Sequence, residues 1–371
     1  MQFTMNVQDL LDGLNTVTRA LSPRPPKQIL EGVLVSATED GVNLTCSDGS
    51  LSIDCTLTAD VQQIGRVVLP GRLFTELCRK LPGGRVTIRV GDGHQASIRC
   101  AQSRSNLAGM SAIEYPEMNE ITGGVTVAIP QNRLREMISH VVFAIATDES
   151  RQILTGCLLE LEREEGRLIA LDGFRLAMQK VSQRFDLSEG TEQLRAVIPG
   201  RVLSEMSKIL ADEETPCELL LAKGHMMATF GNTRLYSVLL AGEYIDYRRI
   251  VPSSFKATAT VDRIAVQNAI DRASLMAREG KNNLIRMSFR EDGLTITSNA
   301  EMGDVHEEMP AQLSGDPLDI AFNAKYITDV IRNISDARLC MCFNSNVSPC
   351  VVRPTEGDTY LYLVLPVRVF Q

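Results

Sequence analysis

Pro199 to Leu210, PGRVLSEMSKIL, recurs almost unchanged at Pro70 to Leu81, PGRLFTELCRKL, and more faintly at Asn323 to Ile334, NAKYITDVIRNI. Three copies of one helical pattern predict three copies of one domain. In each copy a cation at the third position, an acid at the seventh and a cation at the tenth fall on one side of a helix. These are Arg72, Glu76 and Arg79, then Arg201, Glu205 and Lys208, then Lys325, Asp329 and Arg332. Leu73, Phe74, Leu77 and Leu81 in the first copy, and Val202, Leu203, Met206 and Leu210 in the second, cover the opposite side. Each helix is expected to pack through one face and present charge on the other. In a single helix, acids and bases three and four apart are an ordinary solvated surface. Solubility alone does not place the same sign of charge at the same position of three repeats.

The strands repeat as well. GVNLTCSDG at 41–49, GRLIALDG at 166–173 and GLTITSNA at 293–300 are spaced by about 125 residues, the period of a domain rather than of a solenoid turn. Each copy reads as strand, helix, hairpins, helix, hairpins. In the first, Phe3 and Met5 mark a strand, and Leu10, Leu14, Val17 and Leu21 a helix that stops at Ser22-Pro23-Arg24-Pro25-Pro26. Asp40-Gly41 and Asp48-Gly49 mark hairpin turns. The predicted class is α+β, two helices on antiparallel sheet in each of three domains, 1–122, 123–252 and 253–371.

A chain of 371 residues, 44% hydrophobic and 23% charged, fits two or three domains with their own cores. Neither a membrane-length apolar run nor an N-terminal signal pattern is visible, which predicts a cytoplasmic protein with no membrane partner. Nine cysteines without a Cys-x-x-Cys pair are expected to remain thiols and to hold no metal. No phosphate loop, dinucleotide motif or nucleophile elbow occurs, and the four histidines are isolated in sequence. Asp48 and Asp172 each precede glycine and read as turn residues. The expectation is therefore no catalytic residue and no cofactor.

The net charge is −8, yet the six helical stretches sum to +6 and leave −14 for the rest. Basic helices on an acidic frame suit a long polyanion, and contacts to phosphate are blind to sequence. Phe74 and Tyr326 lie on apolar faces, so no aromatic residue interleaves the cations to stack on single-stranded bases, and a duplex is favoured. Three domains of about 35 Å each span roughly half the rim of a ring wide enough for a hydrated duplex, and two chains would close it. Head-to-tail pairing of the first domain with the third has Leu107 on one side and Leu275 and Met276 on the other as candidates.

ALDGFRLA at 170–177, YIDYRRIVP at 244–252, FNAKYITDVI at 322–331 and LPVR at 365–368, set in this threefold repeat, resemble the bacterial DNA polymerase III beta subunits, the sliding clamps, over the whole chain. The resemblance implies a ring-shaped homodimer with twelve helices lining a hole around duplex DNA. It implies a non-enzymatic processivity factor that tethers the polymerase III alpha subunit, the clamp loader and other clamp-motif proteins of replication and repair. Arg24 matches the family's DNA-contacting arginine, and Arg72, Arg79, Arg135, Arg201 and Lys208 are the expected lining of the hole.

The resemblance also implies a hydrophobic pocket for partner peptides. Leu154, Leu171, Gly173, Phe174, Arg175 and Leu176 would form one wall, followed by Ile245, Arg249 and Ile250. Asn323, Tyr326, Val347, Pro349, Leu363, Val364, Leu365, Pro366, Val367 and Arg368 would supply the rest. Leu171 stands where threonine is common in the family, Phe174 where histidine is, and Ile245 where proline is, and the tail continues as Val369-Phe370-Gln371. These differences make the pocket more apolar. A clamp paralogue acting outside bulk replication would share the fold. A hydrolase on a repeated α+β scaffold would need a titratable cluster that the sequence does not offer.

Overall fold

The computed structural model describes residues 1–118, 120–187, 192–280 and 283–368; Val369, Phe370 and Gln371 lie outside the described residues. The chain forms two compact units, one of Met1–Arg135 with Glu205–Leu239, the other of Glu136–Ser204 with Leu240–Gln371. The expected middle domain, 123–252, is thus shared between them. Six α-helices occur among the described residues: α1 Val7–Val17, α2 Gly71–Arg79, α3 Gln131–Ser139, α4 Gly200–Met206, α5 Arg263–Glu279 and α6 Ala324–Arg332.

All named strand pairs are antiparallel. The first unit holds a five-stranded sheet, in order Asp60–Gln63, Gln2–Asn6, Arg85–Val90, Gln95–Cys100, Ser103–Ala108. It also holds an eight-stranded sheet, in order Val125–Pro130, Pro216–Ala222, His225–Phe230, Thr233–Val238, Leu51–Leu57, Gly41–Ser47, Gly32–Thr38, Gly65–Pro70. Phe3, Leu10, Leu14, Leu44, Ile53 and Phe74 are fully buried in this unit.

The second unit has a nine-stranded sheet, from Gln193–Pro199 through Gly156–Glu162, Glu165–Leu171, Arg175–Ser182, Tyr360–Val364, Cys350–Pro354, Arg338–Phe343 and Ala257–Asp262 to Ala311–Ser314. Its four-stranded sheet runs Gly303–Met309, Gly293–Ala300, Leu284–Arg290, Leu318–Asn323. Phe289 and Phe343 meet in its core with ring centroids 4.8 Å apart.

Short polar residues start the helices where the sequence provides them. Asn6, Asp262 and Asn323 accept hydrogen bonds from the backbone N–H of Gln8, Ala265 and Lys325, satisfying donors that the first turn leaves open. Asp48 and Asp172 are turn residues: each Oδ1 accepts two backbone N–H groups, and Gly49 and Gly173 follow at φ +96° and +92°.

Three details differ from the periodicity reading. α4 ends at Met206, so Lys208 and Leu210 of the repeated stretch lie in the turn beyond the helix. α1 ends at Val17, and Leu21 lies beyond a 3-10 turn over Thr18–Ala20, because the proline turn at 23–26 forces the chain extended. In α2, Leu73 is 57% exposed, and the packed face is Gly71, Phe74, Thr75 and Cys78. The first turn sets this rotation. A Cβ on Gly71 would stand 3.0 Å from the Glu31 carbonyl oxygen and 2.7 Å from Leu21 Cδ1. On Gly200, the same position of the second copy, it would stand 2.9 Å from the Thr155 carbonyl oxygen. The third copy has Ala324 there, fully packed.

A buried carboxylate joins the segment around Tyr247 to its sheet. Glu160 is 1% exposed; its oxygens accept hydrogen bonds from Arg248 at 2.6 and 3.2 Å and from the Tyr247 hydroxyl at 2.8 Å. Arg167 lies at 3.2 Å and Arg195 at 3.4 Å. Burial pushes the Glu160 pKa up, but the bonds from Arg248 and Tyr247 outweigh it and hold the group below the ordinary glutamate value.

Two stability predictions follow from these contacts. Gly71→Ala and Gly200→Ala should each cost about 1–3 kcal/mol through overpacking against backbone, whereas Ala324→Gly should cost about 1 kcal/mol of helix propensity; denaturant unfolding compares the three. Glu160→Gln should cost about 3 kcal/mol near neutral pH by leaving buried cations unmatched. Since the folded pKa is depressed, the carboxylate's contribution is complete above the unfolded pKa and is lost as pH falls through the folded one. The gap between wild type and Glu160→Gln should therefore narrow in acid, as read from unfolding midpoints across that range.

Candidate functional site

The residues expected to form a pocket come together in the second unit. Leu154, Leu171, Leu176 and Leu363 belong to one buried apolar cluster with Leu158, Ile169, Tyr244, Tyr247, Cys342 and Val351, and half-buried Ile245 and Leu365 pack against it. Three further residues of the expected set are open to solvent: Phe174 is 56% exposed, Val347 53% and Ile250 37%. Phe174 stacks on Tyr326 with centroids 5.6 Å apart and an interplanar angle of 18°. Val364 is buried, while Pro349, Pro366 and Val367 are half-buried. The tail is fixed by backbone bonds, Leu365 N–H to the Phe174 carbonyl at 2.9 Å and Val367 N–H to the Ala321 carbonyl at 2.8 Å. Gly173 is exposed, and a side chain there would meet nothing within 4 Å.

Arg175 differs from its neighbours. It is 7% exposed, and its guanidinium donates to Asp172 Oδ2 at 2.9 Å, Asp329 Oδ2 at 2.5 Å and the Phe143 carbonyl at 2.6 Å. Its charge lies 4.9 Å from the Tyr326 ring centroid and 5.3 Å from that of Phe143. With these donors engaged, Arg175 orients Phe174 and Tyr326 through their surroundings. Arg249 and Arg368 are exposed at the margin, the former paired with Asp246 at 3.0 Å. Asn323 spends its side-chain oxygen on the α6 cap and on Asn283.

Sequence reasoning missed Tyr244, Tyr247, Glu160, Phe143 and Asp329 as parts of this site. A signal for Tyr244 was present in the repeat. Its hydroxyl donates to the carbonyls of Gly156 and Ile169, as the hydroxyl of Tyr115 in the first unit does to Gly32 and Thr45, and both tyrosines follow a glutamate. Burial pushes both phenols well above their usual pKa.

The expected cations are exposed: Arg72 and Arg79 on α2, Arg135 on α3, Arg201 on α4, Arg24 in the proline turn and Lys208 in the turn after α4. Arg79 pairs with Glu76 and reaches Asn15 on α1 at 3.1 Å. Lys208 pairs with Glu205 at 2.8 Å, and Glu205 also receives Arg19 at 3.2 Å. Burial pushes the Glu205 pKa up, and the bonds from Lys208 and Arg19 bring it below the usual range. The third copy is rearranged: Asp329 turns to Arg175, and Arg332 pairs with Asp271 on α5 at 2.9 Å. Leu107 is only 8% exposed, so its strand edge rather than its side chain is open, whereas Leu275 is 56% exposed and Met276 half-buried. Among the described residues no helix is long and apolar enough to cross a membrane.

Comparison with known proteins bears on the whole chain. Family models described as DNA polymerase III beta subunit match in order, the N-terminal domain at residues 1–119, the central domain at 128–246 and the C-terminal domain at 248–368. The beta sliding clamp of Staphylococcus aureus is 33% identical and that of Bacillus subtilis 34%, each covering all of both chains. The crystal structure of the Bacillus subtilis DNA polymerase sliding clamp superposes with a TM-score of 0.95 at 34% identity, and that of the Thermotoga maritima DNA polymerase III beta subunit with 0.92 at 25%, both over the full length of each chain. The repeat, the basic helices and these full-length matches agree, and the chain belongs to the family of bacterial DNA polymerase III beta subunits, the sliding clamps.

Proposed function

We propose that this non-catalytic processivity clamp acts as a head-to-tail homodimeric ring of three-domain chains, divided near 122 and 252, that encircles duplex DNA in the cytoplasm. The observation that carries this reading is the repeated basic helix within a full-length clamp match. Arg24, Arg72, Arg79, Arg135, Arg201 and Lys208 would meet phosphates in the hole, contacts that do not discriminate sequence. Leu275 and Met276 on α5 would pack against the strand Ser103–Ala108 of a second copy, near Leu107. Residence on DNA then depends on topology, because departure requires opening an interface, whereas each phosphate contact breaks readily.

The groove around Phe174 and Tyr326 would receive peptide segments of the polymerase alpha subunit, of the clamp loader and of other replication and repair proteins. An apolar floor with exposed rims suits aliphatic and aromatic anchors. Leu171, Phe174 and Ile245 bias it toward apolar side chains over polar ones.

Each half has its own experiment. On closed circular DNA the loaded protein should remain bound far longer than on the same DNA after linearisation, and equal dissociation rates would refute encirclement. Removing Val367–Gln371 should reduce binding of a synthetic peptide carrying two leucines and a phenylalanine by at least about tenfold, about 1.4 kcal/mol, with the dimer intact by sedimentation. Unchanged affinity would refute the groove assignment.

A further inference from the structure

All nine cysteines are free; eight are buried, and Cys340 is half-buried. Cys340 and Cys342 stand two apart on the strand Arg338–Phe343, so both side chains leave the same face, and their sulfurs lie 3.6 Å apart. Register places Arg353 opposite Cys340 and Val351 opposite Cys342 on one neighbouring strand, with Thr260 and Thr258 opposite them on the other. The Arg353 guanidinium lies over the Phe255 ring at 5.7 Å.

The two thiols are made unequal by their surroundings. The hydrogen bond from Cys342 pulls the Cys340 thiol well below its ordinary pKa; burial opposes this and the charge of Arg353 reinforces it. Cys342 is pushed up by the same bond and by its own burial. Deprotonation is thereby favoured at Cys340, the more accessible sulfur, over Cys342. Cys46 and Cys157, buried without such a partner, are pushed up by burial alone.

We propose that Cys340 and Cys342 form a reactive dithiol that hydroperoxides convert to an intrastrand disulfide, and that closing this bond loosens the apolar groove. The Cys340 thiolate attacks the peroxide; the O–O bond breaks, the sulfur gains oxygen as a sulfenic acid, and the departing hydroxide (from hydrogen peroxide) or alkoxide (from an organic hydroperoxide) takes a proton to become water or an alcohol. The Cys342 sulfur then attacks the Cys340 sulfur; the S–O bond breaks, and the leaving hydroxide takes the Cys342 proton as a second water. A dithiol reductant reverses the change by becoming a disulfide itself.

The link to the groove is mechanical and rests on the groove reading given above. In an extended strand, residues two apart have Cα atoms, and with parallel side-chain bonds Cβ atoms, about 6.6 Å apart, whereas a disulfide brings Cβ atoms to about 3.5–4.5 Å, so the bond closes only if the backbone moves. Closing the sulfurs shortens the strand locally and tugs Cys342 out of the cluster that also holds Leu154, Leu171, Leu176 and Leu363.

The experiment exposes the full-length protein to hydrogen peroxide and follows thiols by mass spectrometry. In the wild type the fragment holding both cysteines should lose two hydrogens, and dithiothreitol should restore them. In Cys342→Ala the sulfenic acid should form at Cys340 more slowly, activated by Arg353 alone, but with no second thiol to resolve it should persist and be captured by dimedone, with Cys342→Val as a second version should the smaller side chain unsettle the core. In Cys340→Ser, Cys342 should stay unmodified. Oxidised wild type should bind the leucine–phenylalanine peptide about tenfold more weakly than reduced, and Cys340→Ser should not change.

Retention of both thiols in peroxide, or loss of Cys340 no faster than Cys46, overturns the dithiol. A disulfide that leaves peptide affinity unchanged overturns the coupling. Failure of the reduced protein to bind the peptide refutes the groove reading and with it the coupling, while the mass change still decides the dithiol.

Discussion

Backbone hydrogen bonds carry each large sheet across the border between neighbouring repeats. In the first unit Thr233–Ser237 pair residue for residue with Cys55–Leu51, and in the second Arg175–Gln179 pair with Val364–Tyr360. An unpaired strand edge exposes a row of donors and acceptors, so joining two edges satisfies both at once. Charge pins each joint. Arg234 faces Asp54 directly across the first, at 2.6 Å, and Lys180 reaches Asp358 at 2.6 Å beside the second. The compact units consequently follow the ladders and cut across the sequence repeat.

The apolar cluster proposed as a groove lies at the second of these joints. Arg175 opens the shared ladder opposite Val364, and Leu176 pairs with Leu363, so the floor consists of side chains from two repeats held in register by backbone bonds. Glu160 and its arginines then hold the segment bearing Ile245 and Ile250 against the same sheet. The polar groups work mostly as internal supports, while Phe174, stacked on Tyr326, and Val347 remain exposed apolar side chains.

The helices, hairpins and threefold repeat were legible because they rest on local patterning: period, turn chemistry and charge placement lie in contiguous residues. The family motifs likewise pointed to the residues that cluster around Leu171 and Leu363. What periodicity could not supply was rotation and pairing across long separations. Leu73 turns outward because a single glycine approaches the Glu31 carbonyl, a contact between distant segments. Asp329 looked like one more member of a helical charge stripe, yet it answers an arginine 154 residues away. Glu160 reads as an alternating surface residue of a strand, and only the fold shows three arginines and a tyrosine closing over it.

The acids set among the helix cations also bear on motion. Glu76 and Glu205 already hold Arg79 and Lys208, so these side chains would grip a phosphate only partly and return to a waiting partner when the duplex shifts by one step. In the proposed ring, such divided attachment would flatten the energy between successive positions and keep drag low.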